Sequence, residues 1–171
     1  MLASQIGYYS LILGLFFSIS IIILSIKNYF FDKYLNSTIF SLLFLQLVFV
    51  IISFSSLIIS FINSDFSNET VFNNSHTTKP LFYKVSGAWG NHEGSLLLWL
   101  LVLTLFLFLF ITSSKDQPKK YRLLTVVFQQ IIVIGFFLFV LFTSNPFNYL
   151  FPIPNEGLGL NPILQDPALA I

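Results

Sequence analysis

Cysteine is absent from the chain, which excludes disulfides, thiolate metal sites and thiol chemistry on its own residues. Charge is scarce: Asp, Glu, Lys and Arg make up 9% of the sequence, against about 25% in ordinary soluble domains. The net charge is +1. No block of Lys and Arg could hold a nucleic-acid backbone, so nucleic acid is set aside as a partner. The N-terminus lacks an amphipathic, Arg- and Ser-rich transit stretch. The first apolar segment carries no small-residue cleavage site, so it is expected to stay as an anchor. There is no nucleophile–base pair, Gly-rich phosphate loop or carboxylate dyad.

Apolar residues are abundant: 56% of the chain is hydrophobic, with 22 Phe and two Trp. A soluble core of this size could not bury so much Leu, Ile and Phe, so the partner implied by composition is membrane lipid. The bias toward Phe, Ile, Leu, Asn, Ser and Tyr fits an AT-rich, for example organellar, genome. A helix crossing hydrocarbon needs about 20 mostly apolar residues, and four such runs are present, at about 6–26, 38–62, 95–111 and 123–142. None contains a charged side chain, which argues against an ion pathway or proton relay. The expected fold is therefore all-α: a membrane helical bundle over residues 1–142, with a short interfacial helix at 81–89, followed by a Pro-rich tail over 143–171.

The loops set an orientation. The first and third hold Lys27, Lys33, Lys115, Lys119, Lys120 and Arg122, whereas the opposite side holds only Lys79 and Lys84. By the positive-inside rule the basic loops face the cytoplasm or mitochondrial matrix. Both termini then face the periplasm or intermembrane space. The polar loop around 63–78 is expected to be mobile, with His76 solvated. Asn36, Asn68 and Asn73 match the glycosylation pattern, as chance allows in an Asn- and Ser-rich chain.

The densest polar cluster sits at a membrane edge, in YKVSGAWGNHEGSLLLWLL over 83–101. Apolar residues Leu81, Phe82, Val85, Ala88 and Trp89 fall at helical spacing, too few to span. A helix in the interface follows, with Tyr83 and Trp89 at headgroup depth. Gly87, Gly90 and Gly94 then allow two courses. If the backbone stays helical they form a bare strip open to another backbone or a flat ligand, and Trp89, His92, Leu96 and Trp99 share one face. Otherwise Gly90 is the turn, Asn91 caps the third span, and His92 and Glu93 lie in its first turn. His92 is a candidate ligand or, as lone histidines usually are, a hydrogen-bonding residue. In the tail, Pro146, Pro152, Pro154, Pro162 and Pro167 stiffen an extended path, and Phe147, Tyr149 and Phe151 are expected to hold it at the interface.

Two segments carry a resemblance. WGNHEGSLLLW over 89–99 and NPILQDPALAI over 161–171 are similar, in that order, to motifs of the CcmF family, the large membrane component of the system I cytochrome c haem lyase. The first contains Trp89, Gly90, His92, Glu93, Gly94 and Trp99; the second contains Asn161, Pro162, Gln165, Asp166 and Pro167. The resemblance implies a protein that handles haem b on the outer face, where vinyl groups of reduced haem join the thiols of an apocytochrome c CxxCH motif. In the family a histidine follows the second motif, and a WWD segment and intramembrane histidines hold haem. This chain shows none of these. The resemblance is thus to the N-terminal portion of a split or truncated member, in the mitochondrial or bacterial inner membrane. It implies as partners the remaining CcmF portion with the WWD segment and ligand histidines, other system I maturation proteins, and apocytochrome c. No haem ligand transfers to this sequence. The first motif is expected to line or brace a haem-facing cavity, and Glu93 and Asp166 to contact ligand histidines or basic partner groups. The competing expectation is an accessory structural subunit of a large inner-membrane, for example respiratory, complex.

Overall fold

The computed structural model describes residues 1–31 and 36–159. Among these residues the fold is all-helical, with only one isolated antiparallel bridge, between Asn68 and Tyr149. Four long helices, α1 (Leu2–Phe30), α2 (Ser37–Ile62), α5 (His92–Ser113) and α6 (Lys119–Phe142), are each apolar and long enough to cross a membrane. Two short ones, α3 (Glu69–Asn74) and α4 (Leu81–Gly87), lie between the second and third spans. The α1 helix runs four residues beyond the apolar run at each end, taking in Leu2–Gln5 and Lys27–Phe30. A helix satisfies its own backbone, so polar flanks continue it more cheaply than they unwind it.

The spans form a ring in which α1 packs on α2 and α6, and α5 closes the other side against the same two helices. Helix α1 faces inward with Ser4, Gly7, Ser10, Leu11, Gly14, Ser18, Ile21, Ser25 and Asn28, while Tyr9, Leu13, Phe16, Ile19 and Ile23 point outward. Lipid is as apolar as a protein core, so burial does not sort residues by hydrophobicity here. Small residues go inside because they let helices approach. A Cβ on Gly14 would stand 2.7 Å from the Phe137 ring, so that ring fits only against a glycine.

Two apolar clusters fill the ring. One, toward the α5 N-terminus, includes Leu11, Val50, Leu57, Phe61, Leu97, Leu100, Val133 and Phe137. The other, at the opposite end, includes Ile21, Ile39, Leu43, Leu107, Ile111, Leu123 and Val126. Between them lies a polar layer that reading for charge alone overlooked. Gln130 Nε2 donates to Gln46 Oε1 at 2.8 Å, Gln46 Nε2 donates to Gln130 Oε1 at 3.2 Å and to Ser18 Oγ at 3.0 Å, and Ser18 Oγ–H donates to Gln130 Oε1. Gln46 is 1% exposed and Gln130 0%. In hydrocarbon these amides have no water to fall back on, so they lock three helices in one register.

The basic end is capped from within the chain. Arg122 donates from Nη2 to the Ile111 carbonyl (2.9 Å) and from Nε to Ser114 Oγ (3.3 Å), placing a cation on the C-terminus of α5. Lys120 lies 5.9 Å from the Tyr29 ring centre, and Asn36 caps α2 by accepting from Ile39 N–H at 3.1 Å.

The loop expected to be mobile is instead structured. Phe66, Ser67, Asn68, Thr70, Val71 and Ser75 are all buried. Asn68 accepts from Val71 N–H (3.1 Å) as the cap of α3, and its Nδ2 donates to the Pro146 carbonyl (2.9 Å) and Ser4 Oγ (3.2 Å). Ser4 Oγ in turn lies 3.2 Å from Ser60 Oγ. One buried amide thus joins α1, α3 and the tail, and reaches α2 through Ser4. This burial also rules out Asn68 as a glycan acceptor in the folded chain.

Replacing Gln130 by Met should destabilise the bundle by roughly 1–3 kcal/mol, because Gln46 Oε1 loses its donor and Ser18 Oγ–H its acceptor in hydrocarbon. The double variant Gln46→Met/Gln130→Met should recover at least half of that loss. Detergent-titrated unfolding of the two singles and the double measures the coupling; additive losses would show that the pair does not interact.

Candidate functional site

The first motif forms a corner between α4 and α5. Helix α4 ends in tight hydrogen bonds, from Ala88 N–H to Val85 O (3.1 Å), Trp89 N–H to Ser86 O (3.2 Å) and Gly90 N–H to Ser86 O (2.9 Å). The chain then turns upright. Asn91 Oδ1 accepts from Gly94 N–H at 2.7 Å, capping α5, while its Nδ2 donates to the Gly87 carbonyl at 2.6 Å, at the end of α4. A single side chain therefore satisfies one donor and one acceptor from two helix ends. Gly94 is required at the same corner, since a Cβ there would run into the Ala88 carbonyl oxygen.

Of the two courses open to Gly87, Gly90 and Gly94, the chain takes the turn. There is no continuous bare strip: Gly87 lies against Phe61, and Gly94 against Ala88. Trp89 falls before α5 and packs against the buried cluster with Phe61 and Leu97, so it anchors the corner to the core. It does not share a wall with Trp99, which is 59% exposed on the outside of α5. His92, Leu96 and Trp99, at three- and four-residue spacing within α5, do keep one face.

His92 stands at the first position of α5, with Nε2 3.1 Å from Ser144 Oγ just past the end of α6. It thereby clasps two spans at their ends. Glu93 lies in the same first turn, half-buried, and its carboxylate makes no hydrogen bond or ion pair among the described residues. An anion is favourable at a helix N-terminus, and Glu93 is the one carboxylate of the first motif.

The tail is stitched to the same end. Leu150 N–H donates to Ser67 O and Glu69 N–H to Asn148 O, both at 2.9 Å; Leu158 N–H donates to Phe72 O (2.8 Å) and Gly159 N–H to Ser75 O (3.1 Å). Phe147, expected at the interface, is 7% exposed and sits on Gly7, whereas Tyr149 and Phe151 are exposed. Glu156 accepts from Thr77 N–H (3.0 Å) and Thr77 Oγ–H (2.8 Å). These two donors, the backbone one foremost, hold the Glu156 carboxyl below its ordinary pKa. His76 is engaged as well, with Nδ1 2.9 Å from Thr78 Oγ1 and 3.8 Å from Glu156 Oε1. Asn161, Pro162, Gln165, Asp166 and Pro167 lie outside the described residues. The chain reaches them two residues after Gly159, which is bonded to the α3 segment.

The described polar side chains do not gather into a multi-ligand metal cluster. Among the described residues no three His, Asp or Glu side chains converge, and each histidine is already hydrogen-bonded to a hydroxyl. What the arrangement supplies is a rigid corner, one uncommitted carboxylate and a tethered tail.

These features define an integral-membrane helical bundle with a folded polar platform at one end, and comparison with known proteins gives the class a name. The family model described as Cytochrome C assembly protein matches residues 89–171, beginning at the corner tryptophan. Cytochrome c-type biogenesis protein CycK of Bradyrhizobium diazoefficiens is 42% identical over 98% of this chain and 26% of its own length. Cytochrome c-type biogenesis protein CcmF of Escherichia coli is 41% identical over 75% of this chain and 20% of its own. The solved structure of Cytochrome c Heme Lyase CcmF superposes with a TM-score of 0.76 at 25% identity, over 85% of this chain and 25% of that one. The chain belongs to the CcmF-type cytochrome c assembly family. It spans about a quarter of the CycK relative's length and a fifth of the CcmF relative's.

Asn91→Ala should cost about 1–3 kcal/mol, from a lost cap and an orphaned Gly87 carbonyl. Gly94→Ala should cost more, because backbone must move to admit the methyl group. Thermal unfolding in detergent checks the order; a neutral Gly94→Ala would contradict the corner geometry.

Proposed function

We propose that this chain is the wall and frame of a system I haem lyase, helping to position haem and apocytochrome c for covalent attachment during cytochrome c maturation. The observation that carries this reading is the convergence at one bundle end of the WGNHEG corner and the tail leading into the second motif, both present in the matched segment. Lys27, Lys115, Lys119, Lys120 and Arg122 belong to the opposite end, so the positive-inside rule supports an outward-facing platform. That side is the intermembrane space if the membrane is mitochondrial, or the periplasm if bacterial.

In this reading haem b is cargo. Each cysteine thiol of apocytochrome c adds across a haem vinyl group, forming the carbon–sulfur bond while the thiol proton passes to the other vinyl carbon, with no net oxidation. The iron ligands and the WWD segment come from the remainder of a CcmF-type protein. This chain contributes the Trp89–Gly94 corner as a fixed edge and Glu93 as a hydrogen-bond acceptor for a partner's imidazole or cation. An acceptor of that kind orients an axial histidine and raises its basicity. Asp166 is proposed for the same kind of contact.

The test is purification through a tag on this chain in mild detergent, with mass spectrometry and a haem absorbance spectrum of one sample, for the parent and for Glu93→Gln. The expected result is a WWD-bearing CcmF-type partner with haem b, and a several-fold fall in mature cytochrome c for the variant without loss of thermal stability. Recovery of respiratory subunits alone, with the haem belonging to them, would replace this reading by an accessory structural role.

A further inference from the structure

A second surface lies on the lipid-facing side, between α5 and α6. Leu96, Ile132, Gly135, Phe136 and Phe139 line an open groove of about 410 Å3. At its mouth, one turn above Leu96, His92 reaches across the same gap to Ser144. Gly135 is the anomaly. A Cβ there would meet nothing within 4 Å, so no contact inside the chain needs a glycine. A mid-helix glycine nevertheless costs about 1 kcal/mol relative to alanine. Its exposed neighbours on α6 are all bulky: Phe128, Ile131, Ile132, Leu138, Phe139 and Phe142. Acyl chains pack equally well on alanine or leucine and gain nothing from bare backbone. A second helix does gain from it, because a missing side chain lets two backbones approach and admits a large side chain of the neighbour.

We infer that the α5–α6 groove is the docking surface for a further transmembrane helix, supplied by the remainder of a CcmF-type protein and seating a bulky apolar side chain over Gly135. The length of the family argues for this occupant. The solved lyase extends over four times the span that this chain matches, since the match covers 25% of it, so most of the scaffold lies outside these residues and must meet them somewhere. Of the lipid-facing surface, the groove is where the chain has withheld a side chain without an internal reason. It also runs down from His92, so a helix seated there would bring its outer end beside the WGNHEG corner. The identity of the docked helix rests on the functional reading above; the groove itself rests on Gly135.

The experiment places the photo-crosslinking residue p-benzoylphenylalanine at Ile132 in the full chain within its native membranes, followed by irradiation, tag purification and peptide mass spectrometry. The expected adduct is a membrane-spanning peptide of the WWD-bearing CcmF-type polypeptide, reduced at least ten-fold by Gly135→Leu and less by Gly135→Ala. Because a Cβ at Gly135 meets open space and a mid-helix glycine is itself unfavourable, neither variant should lower the melting of the isolated chain, which separates lost docking from misfolding. Adducts with lipid or a tetrapyrrole only, or a peptide adduct indifferent to Gly135→Leu, would overturn the docking surface. If the WWD-bearing partner still copurified in that case, the functional reading would survive. An adduct with a respiratory subunit would overturn both.

Discussion

The Asn91 side chain closes the end of one helix and the beginning of the next with a single amide, and the course of the chain at the motif end depends on it. Backbone groups at a membrane edge must be satisfied by the chain itself. Here a 2.6 Å bond to Gly87 O and a 2.7 Å bond from Gly94 N–H do so within one turn. Because Gly94 has no Cβ, α5 can rise directly past the Ala88 carbonyl. That placement lays Trp89 against the core and brings His92 to Ser144 at the end of α6. It leaves the Glu93 carboxylate without a hydrogen bond among the described residues. Much of the first motif is therefore explained by architecture, with one carboxylate, Glu93, on a rigid edge.

A second amide, Asn68, does comparable work for the rest of the platform. It is 1% exposed and fixes α3 beneath the tail, with Ser4 and Ser60 carrying the connection into the first two spans. With the tail's backbone bonded at Leu150, Leu158 and Gly159, the end of the bundle becomes a folded surface.

The four spans were legible because hydropathy over about 20 residues is a strong signal, and their ends shifted only where polar flanks continued a helix. The α5 cap was legible as one of two courses through Gly87–Gly94. Other features were hidden for physical reasons. The Gln46–Gln130 layer disappears in a hydropathy average, since one glutamine barely moves a long apolar window. The order of 63–78 depends on Asn68 meeting Pro146 and Ser4, partners 78 and 64 residues away, and no local pattern announces such contacts. Polar composition suggested mobility; those residues are polar because they bond the tail. Phe147 could not be assigned to the core without knowing that Gly7 leaves room for its ring. Gly135 reads as an ordinary helix glycine until the space beside it is seen.

The 63–80 segment, the WGNHEG corner and the tail form one folded platform. Hydrogen–deuterium exchange on the chain in lipid nanodiscs tests it most directly, because the inter-segment bonds involve individual amides. The amides of Glu69, Leu150 and Leu158 should be protected by at least two orders of magnitude relative to unstructured peptide, and Asn68→Ala should release all three together. Exchange of Leu150 and Leu158 at the rate of a free loop in the parent protein would contradict the account.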